Sequence, residues 1–167
     1  RSGKVWESPK KKNIYLSIGT LLNKEISELD GFSILIALMI CNALEDLYKI
    51  KAKIKWPNDL YLKNKKFGGI LIETKIVNKK LSIVIGIGLN IFMKTNEFIN
   101  QEWTSLHIEK PFLKIDRNIL ISKIISEISN NLNYFLEKGF KAFKKDFNKR
   151  NILKNKKVLV SNFSSSD

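Results

Sequence analysis

Residues 67–92, FGGILIETKIVNKKLSIVIGIGLNIF, contain two long β-rich runs that are separated by a short polar turn. The runs at 67–77 and 81–92 are dominated by Ile, Leu and Val, which are common in strands. The turn Asn78-Lys79-Lys80 lies between them, and polar turns of this length join antiparallel strands. The stretch therefore predicts an antiparallel hairpin, and the other elements can be placed around it.

Further strands are predicted on both sides of this hairpin. The segment 13–20, NIYLSIGT, alternates apolar and polar residues, which indicates a strand. Two short strands are expected at 52–56 and 60–62, on either side of the turn at 57–59. A last strand-like piece, KVLV, occupies 157–160.

Helices are predicted where apolar residues recur at three- and four-residue spacing. The first such stripe runs through 34–48, with Asp30 or Ser33 as its N-cap. A second helix begins after Asp116 as N-cap and is broken by Gly139, and the phenylalanines after that glycine mark a third helix. The order β-α-β-β-β-β-α-α predicts an α+β fold, in which a mixed, mostly antiparallel sheet is packed with helices.

Composition excludes some classes of function and leaves others open. The chain has 167 residues, 44% of them hydrophobic, which fits one globular domain. Its 30 Lys and Arg residues against 16 Asp and Glu give a net charge of +14, which attracts polyanions but does not choose among them. One cysteine, Cys41, and one histidine, His107, make a disulfide, a multi-cysteine zinc site or a His-based triad improbable. No apolar run of membrane-spanning length is expected.

Glycine pairs interrupt two predicted strands. Gly68-Gly69 and Gly86-Ile87-Gly88 stand where side chains would normally pack, and glycine in a strand marks a bulge or a close approach to bare backbone. If the strands are neighbours, the four glycines form a slot for a flat or narrow ligand. The alternative is a pair of bulges that bend the sheet, and the sequence alone leaves both open.

Lysines are expected at the border of this slot. Lys55 ends a strand just before Trp56-Pro57-Asn58-Asp59, and Lys66 precedes the first glycine pair. A lysine in such a place either forms a surface ion pair or stabilises charge on a carboxylate or phosphate. Asp59 is either a turn-capping residue, a group that orients a lysine, or a ligand of Mg²⁺.

Three motifs in this order and spacing are similar to one known family. The blocks KWPNDLYL at 55–62, KKFGGILIE at 65–73 and VIGIGLNI at 84–91 resemble the catalytic domain of biotin–protein ligases. The start of the chain, RSGKVWESP, resembles the later part of that family's ligand loop. The resemblance implies a fold like that of class II aminoacyl-tRNA synthetases and covers roughly the first 90 residues.

The resemblance implies a reaction and partners. Such enzymes make biotinyl-5′-AMP from biotin and ATP with Mg²⁺, and they then pass biotin to one lysine of a biotin carboxyl carrier protein. Neither step needs a nucleophilic Ser, Cys or His, which suits this composition. A cytoplasmic location and a possible homodimer are also implied, whereas association with a membrane or with nucleic acid is not expected for this segment.

The resemblance also implies roles for particular residues, with Lys55 as the catalytic lysine that contacts the biotin carboxylate and the adenylate phosphate. The residues implied to bind biotin are Arg1, Gly3, Trp6, Lys55, Gly68, Gly69, Gly86 and Gly88. Those implied to bind the nucleotide are Arg1, Lys66, Asn90 and Trp103, and Asp59 is the candidate metal ligand.

The sequence departs from the family pattern at both ends. The usual glycine- and arginine-rich start of the ligand loop and the segment upstream of it are not in this chain. The expected division is a catalytic domain at 1–153, with its N-terminal part missing, and the start of a truncated SH3-like β-domain at 154–167.

Two rival functions remain. A lipoate–protein ligase shares the fold and the Asn-Asp…Lys-Lys-Phe-x-Gly pattern, but the KWP run and the GIGLN block favour biotin. A basic nucleic-acid-binding domain would explain the charge. The chain has no RNP-like strand, KH-type loop or zinc spacing, so this second rival is the weaker one.

Overall fold

The computed structural model describes residues 11–95 and 102–158. Arg1, Gly3 and Trp6 therefore lie outside the described residues. The strands are β1 Ile14–Leu22, β2 Lys53–Lys55, β3 Asp59–Leu62, β4 Lys65–Val77 and β5 Lys80–Leu89. The α-helices are α1 Phe32–Tyr48, α2 Leu106–Glu109, α3 Arg117–Lys138 and α4 Lys144–Arg150.

The strands form one sheet in the order β1-β5-β4-β3-β2, and all neighbouring strands in it are antiparallel. The hairpins on either side of β4 turn through two residues each, Lys63-Asn64 and Asn78-Lys79, and all four have positive φ. Positive φ at both central positions matches the twist of antiparallel strands. The predicted α+β fold and its central hairpin are confirmed.

One face of the sheet is covered by helices. On β5 the residues that point to this face are Leu81, Ile83, Ile85, Ile87 and Leu89, and all of them are buried. Helix α1 packs against the sheet and against α3. Burying this apolar surface supplies most of the stability of the domain.

The predicted N-cap of the first helix was wrong. Gly31 is the N-cap of α1, with φ of 80°, and neither Asp30 nor Ser33 caps the helix. A Cβ at Gly31 would lie 2.6 Å from the Phe140 ring, so both the left-handed backbone and the close packing require glycine. Asp116 is the N-cap of α3, as predicted, because its carboxylate accepts hydrogen bonds from the backbone N–H groups of Asn118 and Ile119.

The C-terminal helical part also follows the prediction in outline. Gly139 ends α3, and a 3₁₀ turn at Phe140–Phe143 leads into α4. Of the predicted strand at 157–160, Lys157 and Val158 are described and are not in a strand, and the remainder lies outside the described residues. The domain boundary after residue 153 stays a prediction.

The segment Ile26–Tyr48 is long and apolar enough, by length and composition, to cross a membrane, which differs from the expectation stated above. Its helical part, α1, is enclosed by the sheet and by α3. Eleven residues of α1 are buried, from Phe32 to Leu44. Core helices pass the same test, so burial within the domain accounts for the apolar character of this segment.

Candidate ligand-binding cleft

Two of the predicted glycines face each other on neighbouring strands. Gly69 of β4 pairs with Gly88 of β5, and Gly88 pairs on its other side with Tyr15 of β1. Gly69 pairs in turn with Asp59 of β3. This row crosses the sheet on the face opposite the helices, and its two central positions have no side chain.

The next row on the same face contains Ser17, Gly86 and Leu71. The two rows line a cleft of about 370 Å³. Its floor is bare backbone, and side chains border it, which is the arrangement that a flat ligand needs. The residues that line it are Tyr15, Leu16, Ser17, Asn58, Asp59, Lys66, Gly69, Ile70, Leu71, Gly86, Ile87 and Gly88.

Gly68 does not belong to this set. It is buried, and a Cβ added to it would lie 2.7 Å from Leu89 Cδ2 and 2.9 Å from the carbonyl oxygen of Gly88. It therefore faces the helix-covered core, and its lack of a side chain allows close packing there. The predicted slot of four glycines thus consists of three, with Gly68 on the other face.

A β-bulge in β4 brings Lys66 to the same face as Gly69. The pairing of β3 with β4 shifts between Leu60 and Tyr61, so that Leu60 pairs with Gly68 and Tyr61 with Lys66. The extra residue is Phe67, and both it and Gly68 are buried. Lys66 and Gly69 are three residues apart and would point to opposite faces of a regular strand, but with the bulge both line the cleft.

The turn between β2 and β3 is fixed to its neighbours by hydrogen bonds. The Asn58 side-chain amide donates to the Ile70 carbonyl over 2.8 Å, and the Ile70 N–H donates to the Asn58 carbonyl over 2.9 Å. The Ser33 hydroxyl, in the first turn of α1, donates to the Pro57 carbonyl. The peptide bond between Trp56 and Pro57 is cis. These contacts fix the backbone between Lys55 and Asp59.

The charged residues at this end of the cleft are arranged around one ion pair. Lys66 Nζ lies 2.6 Å from Asp59 Oδ1, and both side chains are largely buried. Asp59 therefore orients a lysine, one of the three roles considered above. Lys55 pairs with Asp59 across the β2–β3 ladder and is exposed, with its Nζ 5.7 Å from the centre of the Tyr61 ring. Lys55 is beside the cleft and does not line it.

Asn90 and Trp103 lie close to this region without lining the cleft. The buried Asn90 side chain donates to the Thr104 carbonyl and accepts from the Asn13 amide. Trp103 forms a parallel bridge with Lys66, at the start of β4. Asn90 thus fastens the chain around Trp103 to the end of β5, and its polar atoms are used within the protein.

The sequence did not single out Tyr15 and Ser17 as cleft residues. Both point outward from β1, two residues apart, in the alternating segment that was recognised as a strand. The register that places them beside Gly88 and Gly86 comes from strand pairing. The alternation of apolar and polar residues in β1 shows which face of the sheet Tyr15 and Ser17 are on. It does not show which residues of the next strand lie beside them.

The described residues also bear on two other kinds of chemistry, a cysteine nucleophile and a metal site. Cys41 is fully buried in α1, and burial raises the pKa of its thiol to about 12, which removes it as a nucleophile at neutral pH. Across residues 11–95 and 102–158 there is no group of three His, Cys, Asp or Glu residues that could hold a metal ion. The acidic side chain that lines the cleft is that of Asp59.

Sequence comparison identifies the family of the chain that contains this cleft. The model of the Biotin/lipoate A/B protein ligase family matches residues 1–90, which include β1 to β5 and the cleft. The chain belongs to this family.

Individual relatives of this chain are named as ligases. The chain is 36% identical over 146 residues to the bifunctional ligase/repressor BirA of Salmonella typhimurium, which covers 86% of this chain and 45% of BirA. It is 30% identical over 153 residues to biotin–protein ligase 2 of Arabidopsis thaliana, with 85% and 44% covered. The chain thus spans less than half the length of these two relatives.

A solved structure of the biotin protein ligase from Aquifex aeolicus, in complex with biotin and ATP, has the same fold. The TM-score is 0.73 at 32% identity, and the match covers 91% of this chain and 63% of that one. The expected fold of a biotin–protein ligase catalytic domain is confirmed.

Proposed function

We propose that this chain is the catalytic part of a biotin–protein ligase, which activates biotin with ATP and transfers it to a lysine of a biotin carboxyl carrier protein. The observation that carries the proposal is the backbone-floored cleft at Gly69, Gly86 and Gly88, with lysines at one end, in a member of this family. Relatives named as biotin–protein ligases support biotin over lipoate as the substrate.

The proposed chemistry has two steps. In the first, a carboxylate oxygen of biotin attacks the α-phosphorus of ATP, and pyrophosphate leaves. Two anions must approach each other, so cations and N–H donors have to offset their repulsion. Lys55 is the proposed catalytic lysine, because it is exposed on the open face of the sheet beside Asp59 and can swing toward the cleft.

In the second step, the amine of the acceptor lysine attacks the acyl carbon of the adenylate, and AMP leaves. The mixed anhydride is already activated, so no protein nucleophile is required. The buried Cys41 is consistent with this, since its raised thiol pKa keeps it protonated.

Mg²⁺ is proposed to accompany ATP. Mg²⁺ at nucleotide sites is commonly held by one or two carboxylates together with substrate phosphates. Asp59 is the acidic residue of the described cleft, and its ion pair with Lys66 has to open if the carboxylate binds the metal. The metal would then neutralise phosphate charge during the first step.

We also propose contacts for two further sets of residues. Lys66, Asn90 and Trp103 are proposed to contact the nucleotide, and Arg1, Gly3 and Trp6 are proposed to contact the ligands. The cytoplasmic location and the homodimer are proposals as well. In support of a dimer, β1 is paired on one side only among the described strands. Sedimentation across a range of protein concentrations tests the dimer, and fractionation of cells tests the location.

The proposed function is tested by incubating the full-length protein that contains this chain with ATP, Mg²⁺ and either biotin or lipoate. We expect biotinyl-5′-AMP to form, as detected by mass spectrometry, and lipoate to give at most a trace. Added biotin carboxyl carrier protein should then gain one biotin group and release AMP. Formation of lipoyl-AMP instead would favour the lipoate rival, and no adenylate with either acid would refute the proposal.

The salt dependence of binding distinguishes a nucleic-acid-binding role from the proposed function. The affinity of such a protein for DNA or RNA falls steeply between 50 and 200 mM salt, because counterions are released on binding. Biotin carries one carboxylate, so its binding should depend on salt only weakly.

A further inference from the structure

We propose that Arg117 is a positioning residue for the cleft, and that it acts through Asn13 on the tyrosine wall formed by Tyr15. This inference rests on the function proposed above. Arg117 is the first residue of α3 and lies outside the part of the chain that the family model matches. No sequence motif pointed to it.

The first step of the argument is the contact between Arg117 and the start of β1. Its Nη1 donates to the carbonyl oxygens of Lys11 and Asn13, over 3.3 and 3.2 Å. The guanidinium carbon lies 5.9 Å from the centre of the Phe92 ring, close enough for a cation–π contact. The guanidinium therefore holds the backbone on both sides of Lys12, just before the strand that lines the cleft.

The second step is the set of hydrogen bonds made by the buried side chain of Asn13. Its Nδ2 donates to the Tyr15 hydroxyl over 2.9 Å and to Asn90 Oδ1 over 3.3 Å. Its Oδ1 accepts from the Ile91 N–H over 3.0 Å. Asn13 thus connects the first strand, the end of β5 and the Tyr15 hydroxyl, and Arg117 fixes its carbonyl group.

The third step is the place of Tyr15 in the cleft. Tyr15 pairs with Gly88, and its ring borders the bare backbone of Gly88 and Gly69. Tyr15 is 43% exposed, and its hydroxyl accepts the hydrogen bond from the Asn13 amide at the protein side of the cleft. A displaced ring would widen the cleft or close it, because no side chain at Gly88 limits its movement.

An arginine suits this position for two reasons. A guanidinium is always charged, and its hydrogen bonds to carbonyl oxygens are stronger than those between neutral groups. The guanidinium also lies over the Phe92 ring while one of its nitrogens donates to two carbonyl oxygens. A lysine would bring the charge without the planar contact.

The test is a double-mutant cycle read out as the dissociation constant for biotin, with Arg117→Ala, Tyr15→Phe and the double variant in the full-length protein. If Arg117 acts through the Tyr15 hydroxyl, each single change should weaken binding by roughly three- to tenfold, and the double variant should be no weaker than the worse single variant. Arg117→Lys should recover part of the loss.

Arg150 provides the matched control. This arginine of α4 also makes two side-chain contacts, with Asn42 and Glu45 at 2.9 and 2.8 Å, and none of these three residues lines the cleft. Arg150→Ala should lower the melting temperature and leave the biotin dissociation constant unchanged, alone and with Tyr15→Phe. If Arg117→Ala does not fold, Arg117→Gln takes its place in the cycle.

The outcomes separate the two proposals. If the unsubstituted protein does not bind biotin, the proposed function fails and this inference fails with it. If that protein binds biotin but the effects of Arg117→Ala and Tyr15→Phe multiply, or Arg117→Ala binds normally, only the role of Arg117 is overturned.

Discussion

The two faces of the sheet contrast most clearly along β5. On the helix-covered face this strand places Ile83, Ile85 and Ile87, all buried. On the open face, the alternate positions near its end are Gly86 and Gly88, which leave backbone exposed in a cleft. One strand therefore builds the core with its odd-numbered residues and the cleft with its even-numbered ones, because successive side chains point to opposite faces.

The same comparison separates two glycines that look alike in the sequence. Gly68 faces the core, where a Cβ would collide with Leu89 and with the Gly88 carbonyl. Gly86 faces the cleft, where a Cβ would have ordinary contacts of 3.5 and 3.6 Å with Leu71. We conclude that Gly68 serves packing, whereas Gly86 lines the cleft, and the predictions below are chosen to challenge that division.

The largest effect is expected from Lys55→Ala, on the open face. Removing the ammonium should slow biotinyl-AMP formation by on the order of 10²–10³-fold, since a group that stabilises developing charge contributes that much. The melting temperature should hardly change, because Lys55 is exposed. Lys53→Ala, two residues away on the same strand, is the control and should retain the parent rate. A parent-like rate in Lys55→Ala would show that the lysine is a surface residue only.

The next effect is expected from Gly86→Val. The side chain enters the cleft, so biotin binding should weaken by up to about 100-fold, as measured by calorimetry. Unfolding should shift little, because the first carbon atom has room. Gly19→Val is the matched control. Gly19 lies in β1 on the same open face and has nothing within 4 Å of its Cβ position, but it does not line the cleft. Unchanged biotin affinity in Gly86→Val would remove the cleft as the ligand site.

A smaller effect, on stability rather than on biotin binding, is expected from Gly68→Ala. Because a Cβ has no space there, the variant should lose about 1–3 kcal/mol of unfolding free energy in denaturant titrations. Gly86→Ala, the same change on the other face, should cost clearly less. Equal losses in the two variants would contradict the assignment of the glycines to different faces.

The smallest effect is expected from Asp116→Ala, which removes the cap of a helix on the covered face. Loss of the two hydrogen bonds at the start of α3 should lower the unfolding free energy by about 1 kcal/mol. Asp116→Asn keeps an accepting oxygen and should stay close to the parent. A large loss of biotin affinity in Asp116→Ala, without a loss of stability, would contradict the assignment of Asp116 to helix capping alone.

Much of the fold could be predicted because it depends on local patterns. The strands of the central hairpin, the polar turn that begins at Asn78, the cap at Asp116 and the break at Gly139 each follow from neighbouring residues. The N-cap of α1 could not be predicted in this way. Gly31 is required there because Phe140, more than 100 positions later, packs against it.

The candidate site was predicted less completely than the fold. Gly69, Gly86 and Gly88 are brought together and Lys55 stands beside the cleft, as expected, whereas Gly68 is on the other face. Gly68 and Gly69 are consecutive residues of one strand, so their side-chain positions point to opposite faces. The bulge at Phe67 decides instead that Lys66 lines the cleft together with Gly69. A bulge depends on how two strands pair, and alternation within one strand does not reveal it.

The sequence by itself determined the class of fold, the family and the residue types of the site, because periodicity and ordered motifs are properties of the chain. Only the tertiary structure decided which glycines line the cleft, which lysine pairs with Asp59, and that Arg117 reaches the start of β1. Those facts depend on strand register and on contacts between residues far apart in the chain, which form only when the sheet and helices pack together.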